Sequence, residues 1–564
     1  IFLISLCFIM TLFTMPVYSN SAIQQRLKAA SKDNGGVPCV VCTVLSQMFI
    51  VKLERENVTI DQALSSFCSY LPVPLNKYCT SYLSKNGEKI IDAFFNYEAP
   101  DRICYALGAC TNPQQCRLYP SSLPITEDFG SFFLEDTFPV DFENSIENWL
   151  EWIVKRFGDD HLPLDDIDND YFSPAWKTLR GRDWRGRDCN DLDHLVYPGT
   201  IPSSGDRMFD SNCNGIYGIN NVTGKPYEHE LCNVEQRGVG LIGDSVGAHF
   251  AFPCTFYFPG PGVYDHFLYF AANEGDWPFT SHITGFRNDT TGLLDPDRKH
   301  PLPLDSIYLR MLERNRCVYN DFQNLAVNGA DSVLSVHNLH ALARNQKRDQ
   351  PMLFFQMLIG DDICDSKDGK WTPPDKYEQA MLQNLDYLDQ HLPKGSFVVN
   401  VGIIDGSVIY DVLHNQSYPF SPEPLQSANN VASYKEWWEF MICTRTVVCY
   451  GWMTPNATVR REATQHAFML NDILKNITHT RSYNNFDMAY YDFPFVEMGI
   501  KIREQGLPFT ALFEPFLGLH TTQHAVSILA GVLYNKIERD YGDKAFGPIN
   551  PNNQKIVQLF SQNQ

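Results

Sequence analysis

Six cysteines fall within residues 39–110, at Cys39, Cys42, Cys68, Cys79, Cys104 and Cys110, and they constrain the fold more than any other feature of the chain. A segment of this size buries too little apolar surface to be secure unaided, so covalent staples decide whether it folds. The stretches between the cysteines are helical in pattern. Thr59 is placed to cap a helix whose apolar face is Ile60, Leu64, Phe67 and Leu71, and Ile90, Ile91, Phe94 and Phe95 repeat that spacing. Six cysteines permit fifteen pairings, and counting leaves them all open.

The rest of the chain agrees with an oxidising compartment. Its 564 residues exceed a single core and call for several domains. It holds 16 cysteines in all, with six Asn-x-Ser/Thr acceptors at Asn57, Asn221, Asn288, Asn415, Asn456 and Asn476. The opening run "IFLISLCFIMTLFTMPVY" followed by "SNSA" has the pattern of a signal peptide over residues 1–20. Setting Cys7 aside with that leader leaves an odd number of thiols. The formal net charge of -21 repels polyphosphate and argues against nucleic acid as a partner. A secreted or lysosomal protein is expected.

The cysteine spacing resembles the saposin-like family of small helical lipid-binding modules. The resemblance implies pairing of first with sixth, second with fifth and third with fourth: Cys39 with Cys110, Cys42 with Cys104, and Cys68 with Cys79. The module would occupy residues 36–116 and bring the chain to a lipid surface. Residues 117–160 read as a linker, open to processing, with one amphipathic helix around "SIENWLEWIVKRF". Cys116 is placed to tether the module to a partner that sequence does not name.

Residues 161–232 form an acidic block. Asp166, Asp168 and Asp170 alternate, with Phe172 at the seventh position; Asp210, Asn212, Asn214 and Ile216 repeat the arrangement, with Gly215 at the sixth. This is the first half of an EF-hand calcium loop, in which alternate oxygens and the seventh carbonyl converge on one cation. Position twelve is Lys177 in one loop and Asn221 in the other, so further oxygens are needed. "DCNDLD" between the loops offers Asp188, Asn190, Asp191 and Asp193. The block resembles calcium modules of extracellular proteins, stapled by Cys189 and Cys213, and implies a structural Ca2+. The competing reading is a solvated acidic loop.

"VGLIGDSVGAHF" then places Ser245 directly after an apolar run. Gly243-Asp244-Ser245-Val246-Gly247 fits the G-x-S-x-G nucleophile elbow, yet that elbow needs several strands before it. Here the serine opens its domain, and Gly-Asp-Ser at the end of a first strand resembles the GDSL, or SGNH, hydrolases. That resemblance implies a flavodoxin-like α/β domain over residues 236–545, ahead of a tail at 546–564. It also implies an oxyanion hole made by the N–H groups of Ser245 and Gly329 with Asp361, and a base at His520 in "EPFLGLH". The expected architecture is therefore multidomain: an all-α disulfide-stapled module, a calcium-binding loop region and an α/β hydrolase domain.

The module, the acidic block, GDSVGAHF, "NGADS", "IGDDIC" and "EPFLGLH" together resemble the acyloxyacyl hydrolase family. This implies cleavage of secondary fatty acyl esters of lipopolysaccharide lipid A and, after processing, disulfide-linked subunits. Two positions depart from the pattern. Asp361 stands where an asparagine amide is usual, and Leu517 where the triad aspartate is usual. A protonated Asp361 could donate a hydrogen bond to an oxyanion and an ionised one would repel it, which suggests acid-shifted activity. Leu517 leaves His520 to another acceptor or to a Ser-His dyad. Rival readings are a non-catalytic lipid-binding protein on the same scaffold and a general phospholipase or acyl esterase. His249 and Asp244 read as structural supports or substrate neighbours rather than catalytic groups.

Overall fold

The structure, a computed structural model, describes residues 36–56, 99–111, 116–119, 161–175, 179–254, 269–270, 273–289, 294, 303–364, 371–419 and 431–562, with isolated residues between 57 and 98. The leader, Asn57, the Cys68–Cys79 pair, Lys177 and the expected helix in the linker lie outside the described residues.

Five parallel strands form one sheet: β1 (Gly238–Gly243), β2 (Phe322–Asn324), β3 (Met352–Met357), β4 (Ser396–Val401) and β5 (Phe486–Tyr491), in the order β2-β1-β3-β4-β5. The runs GVGLIG, MLFFQM and SFVVNV are buried at every position, because helices on both faces of a parallel sheet leave no wet side. β5, FDMAYY, has exposed and half-buried positions, as an edge strand does. Leu241 lies opposite Phe355, and Val399 opposite Ala489. The helix Pro374–His391 connects β3 to β4, Ala457–Thr480 precedes β5, and Gln523–Tyr541 follows it. This is the flavodoxin-like order, whose ligands bind at the carboxyl ends of the strands where the winding reverses beside β1.

The helical module shows two of the three implied bridges, Cys39–Cys110 and Cys42–Cys104. They clamp the helix Gly36–Glu56 to the helix Pro100–Ala106. Thr59 and Gln62 exchange hydrogen bonds, the Gln62 N–H donating to the threonine hydroxyl and the Thr59 N–H to the glutamine carbonyl. That reciprocity is a capping box. The module shares one apolar core with the sheet domain: Val44, Ile103 and Leu118 join the cluster that holds Val239 and Phe355.

Cys116 pairs with Cys443, 327 residues away. Cys443 ends the helix Tyr434–Cys443, so the module is bolted to the hydrolase domain. Three further bridges, Cys189–Cys213, Cys232–Cys317 and Cys364–Cys449, staple the acidic block and the sheet domain.

The acidic block packs against the amino ends of β2 and β3. The Arg187 N–H donates to Asn320 Oδ1, and Thr200 bridges Asp349. The helix Asn553–Phe560 closes the same pole, where Ile556 is buried with Ile216, Leu231 and Cys317. No described helix is long and apolar enough to cross a membrane.

Candidate active site

Ser245 follows β1 by two residues and starts a single helical turn, Ser245–Ala248. Asp244 caps that turn by accepting the Val246 N–H, and its other oxygen accepts the N–H groups of Ile359 and Gly360. Asp244 thus ties the β1 turn to the loop after β3. Burial raises its pKa to about 6, against the pull of those N–H donors. His249 ends the turn in the left-handed region, at φ 59°, with its Nδ1 2.7 Å from the Thr280 hydroxyl. Both residues support the serine, as read from the motif.

His520 Nε2 stands 3.0 Å from Ser245 Oγ, across 275 residues of chain. Burial, with a smaller contribution from His249, lowers the His520 pKa to about 3. That shift favours the neutral ring, whose Nε2 lies within hydrogen-bond reach of the serine hydroxyl.

The loop that carries His520 is built around Glu514. The Glu514 carboxylate accepts the N–H groups of Phe516 (2.8 Å) and Leu517 (2.7 Å), and the Glu514 N–H donates to the His520 carbonyl. Burial raises Glu514 to about 7 although these donors favour its charge. Glu514 is thereby committed to the turn. Gly518 sits at φ +68° with Tyr434 so close that a Cβ would lie 2.7 Å from its ring, so this turn admits glycine alone. The helix Tyr434–Cys443 braces the loop from outside, Tyr434 donating to the Pro515 carbonyl and Trp438 to that of Leu517. Leu517 is buried and offers His520 no side-chain acceptor.

Gly329 follows β2, and Gly360 and Asp361 follow β3. All three line one pocket with Ser245 and His520. Its volume is about 950 Å³ including the open mouth, and its walls are apolar: Trp452, Phe493, Phe495, Met498, Leu512 and Phe513. Asn328 also lines it and adds an amide beside Gly329, a residue passed over because the motif directs attention to its glycine. A flexible hydrocarbon chain fits such walls, with the ester at the polar floor.

In the acidic block the two half-loops are backbone copies. Asp166 accepts the N–H of Tyr171 as Asp210 accepts that of Gly215, and Asp170 accepts Phe172 N–H as Asn214 accepts Ile216 N–H. Their sixth positions, Tyr171 (φ 75°) and Gly215 (φ 82°), are both left-handed. Oxygens of Asp166, Asp168 and Asp191 lie within 4.8 Å of one another, as do those of Asp168, Asp170 and Asp188. Asn190 donates its N–H to Asp188, and Asp193 accepts that of Leu195, so these two shape the segment. Among the described residues, both Asp168 oxygens, Asp170 Oδ2 and Asp188 Oδ2 are buried without a hydrogen-bond partner. Burial, with neighbouring carboxylates adding to it, raises Asp170 to about 8 and Asp188 to about 6. An all-oxygen set whose buried charges repel one another fits a hard divalent cation. At the second loop, the Asn212 and Asn214 amides face the buried carboxylate of Glu228, which sequence spacing did not reveal because it comes from a later helix.

Comparison with known proteins agrees with this architecture. The saposin-like domain model matches residues 36–131. Along nearly its whole length the chain is similar to acyloxyacyl hydrolase from Homo sapiens, 32% identical over 578 residues that cover 97% of each chain. It is also similar to acyloxyacyl hydrolase from Mus musculus, 33% identical over 552 residues and 93% of each chain. A saposin-like module joined to a parallel α/β domain, with relatives above 30% identity from end to end, places the chain in the acyloxyacyl hydrolase family.

Proposed function

We propose that this chain releases secondary fatty acyl groups from lipopolysaccharide lipid A by way of an acyl-serine, in a secretory or lysosomal lumen. The observation that carries this is the Ser245–His520 pair at the polar floor of an apolar pocket, in a chain whose full-length relatives are acyloxyacyl hydrolases. The aligned pair favours the enzyme over a degraded lipid-binding scaffold.

Ser245 Oγ attacks the ester carbonyl carbon while its proton passes to His520 Nε2. The negative charge that develops on the carbonyl oxygen is met by the N–H groups of Ser245 and Gly329, with Asp361 contributing when it is protonated. His520 then gives its proton to the departing hydroxyl oxygen. Water, deprotonated by the same nitrogen, hydrolyses the acyl-serine and frees the fatty acid. The saposin-like module draws the acyl chain from its aggregate.

One experiment tests the substrate and Asp361 together. Fatty acid release from lipopolysaccharide and from phosphatidylcholine vesicles is measured at pH 5 and 7 for wild type, Ser245→Ala and Asp361→Asn. Release from lipopolysaccharide is expected to dominate and to vanish in Ser245→Ala; faster release from phosphatidylcholine selects the general phospholipase. An asparagine amide donates at every pH, so Asp361→Asn is expected to raise the pH 7 rate about 10-fold or more, one oxyanion donor being worth about 100- to 1,000-fold. An Asp361→Asn enzyme slower at both pH values removes Asp361 from the oxyanion hole.

Calcium would be held by Asp166, Asp168, Asp170, Asp188 and Asp191 with the Phe172 carbonyl, and at the second loop by Asp210, Asn212, Asn214 and the Ile216 carbonyl. Bound there, it neutralises buried carboxylates far from the serine and so serves the fold. The sequons at Asn221, Asn288, Asn415, Asn456 and Asn476 are exposed, which suits glycosylation. Cleavage within residues 117–160 would leave two chains joined by Cys116–Cys443. They are expected to migrate as one band on a denaturing gel without reductant and as two with it; two bands in both lanes would show that the bridge does not form.

A further inference from the structure

For His520 Nε2 to accept the Ser245 proton, the neutral ring must carry its hydrogen on Nδ1, and Nδ1 is buried with no hydrogen-bond partner among the described residues. Asp276 is fully buried, and neither of its carboxyl oxygens has a hydrogen-bond partner among the described residues. Leaving such groups unsatisfied is costly in a dry interior.

The backbone brings the two close. The Ala251 N–H donates to the Gly275 carbonyl (3.2 Å) and the Trp277 N–H to the His249 carbonyl (3.1 Å). Phe250 and Asp276 are therefore directly opposed in an antiparallel bridge, as a non-hydrogen-bonded pair. Side chains of such a pair project from the same face, with Cβ atoms about 4.5–5.5 Å apart. The Phe250 ring packs on the His520 ring, centroids 4.6 Å apart. Asp276 is thus linked to the imidazole through one side chain, Phe250. Thr521 Oγ1 and both ends of the Gln523 amide, on the segment just after His520, are likewise buried and unsatisfied among the described residues. Polar groups gathered in this way are what holds an internal water, which needs two to four partners.

We propose that Asp276 is the positioning residue that replaces the absent aspartate at Leu517, accepting the His520 Nδ1–H through one intervening water; this rests on the catalytic reading of Ser245 and His520. The Nδ1–H stays on the ring throughout, and the only proton that moves is the one Nε2 exchanges with Ser245, the leaving oxygen and water. Arg180 pairs with Glu274 at 3.0 Å, and its charge also favours the ionised form of Asp276. Burial, with Glu274 adding to it and Arg180 opposing, holds Asp276 well above the usual carboxylate range.

The role predicts a sorting of variants by acceptor rather than by size. Asp276→Ala and the volume-keeping Asp276→Leu, which lack an acceptor, are expected to lower kcat about 10- to 100-fold with KM unchanged. That is less than the ~10,000-fold of the best-studied triad because this acceptor acts through water. Asp276→Asn, which keeps a carbonyl oxygen, is expected to stay within about fivefold of wild type. Phosphonylation of Ser245 by a fluorophosphonate, which needs the base but no lipid, should follow the same order. Wild-type kcat in a folded Ala or Leu variant overturns the proposal. If Ser245→Ala or His520→Ala is itself as active as wild type, the catalytic reading fails instead. Should both apolar variants fail to fold, the His520 Nδ1 proton of the wild-type chain decides by NMR. A protected, low-field resonance supports the acceptor, and a rapidly exchanging one rules it out.

Discussion

Replacing His520 with alanine is expected to lower kcat by about 10,000- to 1,000,000-fold, because the serine loses its base and the leaving group loses its acid together. The residual rate would come from Ser245 and Gly329 acting on the oxyanion, and binding of the acyl chain to walls such as Phe493 and Met498 should survive. The pH profile gives a second check. A base must be deprotonated, and an ordinary histidine near 6.5 would be mostly protonated at pH 5. Burial and His249 bring His520 to about 3, so the base is lost only as pH falls through that region, and the catalytic pair should work undiminished from pH 7 down to pH 5. An acid limb between pH 6 and 7 in kcat/KM would contradict the buried, neutral ring. A drop of less than tenfold in His520→Ala would show that the base lies elsewhere.

If the acidic block holds Ca2+ as proposed, removing it is expected to lower the melting temperature by roughly 5–10 °C. A cation present at a thousand times its dissociation constant stabilises the native state by about 4 kcal/mol, and a chain of several domains moves only a few degrees per kcal/mol. The physical cause is local. Without a cation, the two oxygen clusters that share Asp168 must take up protons or repel one another at close range. Calorimetry with and without EDTA measures the effect, and added Ca2+ should reverse it better than Mg2+, which demands a tighter octahedron. An unchanged melting curve would return the block to a plain acidic loop.

Local patterns in the sequence were legible because the physics behind them is local. An apolar run such as MLFFQM can hardly avoid the sheet interior, Thr59 is followed at the required distance by Gln62, and alternating aspartates dictate their own turns. The position of Ser245 after β1 followed from domain order. Three-residue β2, set in the polar stretch DFQN, gives no such signal, and its existence depends on pairing with β1. The partner of Cys116, the carboxylate of Glu228 beside the second loop and that of Asp276 behind His520 are matters of tertiary approach. Burial turns an ordinary acid into a functional group, and burial is a property of the whole fold. The acyl pocket is legible only in three dimensions, since Trp452, Phe495 and Phe513 come from separate segments.

In a chain cleaved within residues 117–160, the Cys116–Cys443 bridge would set the order of the reaction. A lipid-extracting helper that diffused freely would have to meet the hydrolase at micromolar concentrations or below, and acyl transfer would slow with dilution. Joined to the helix whose Tyr434 and Trp438 brace the His520 loop, the module acts at a local concentration that tethering over such distances brings to about the millimolar range. Delivery is then unimolecular. Dilution into a large volume would leave the module beside its active site, and in a chain cleaved within residues 117–160 only a reducing environment strong enough to open the bridge would make the enzyme concentration-dependent.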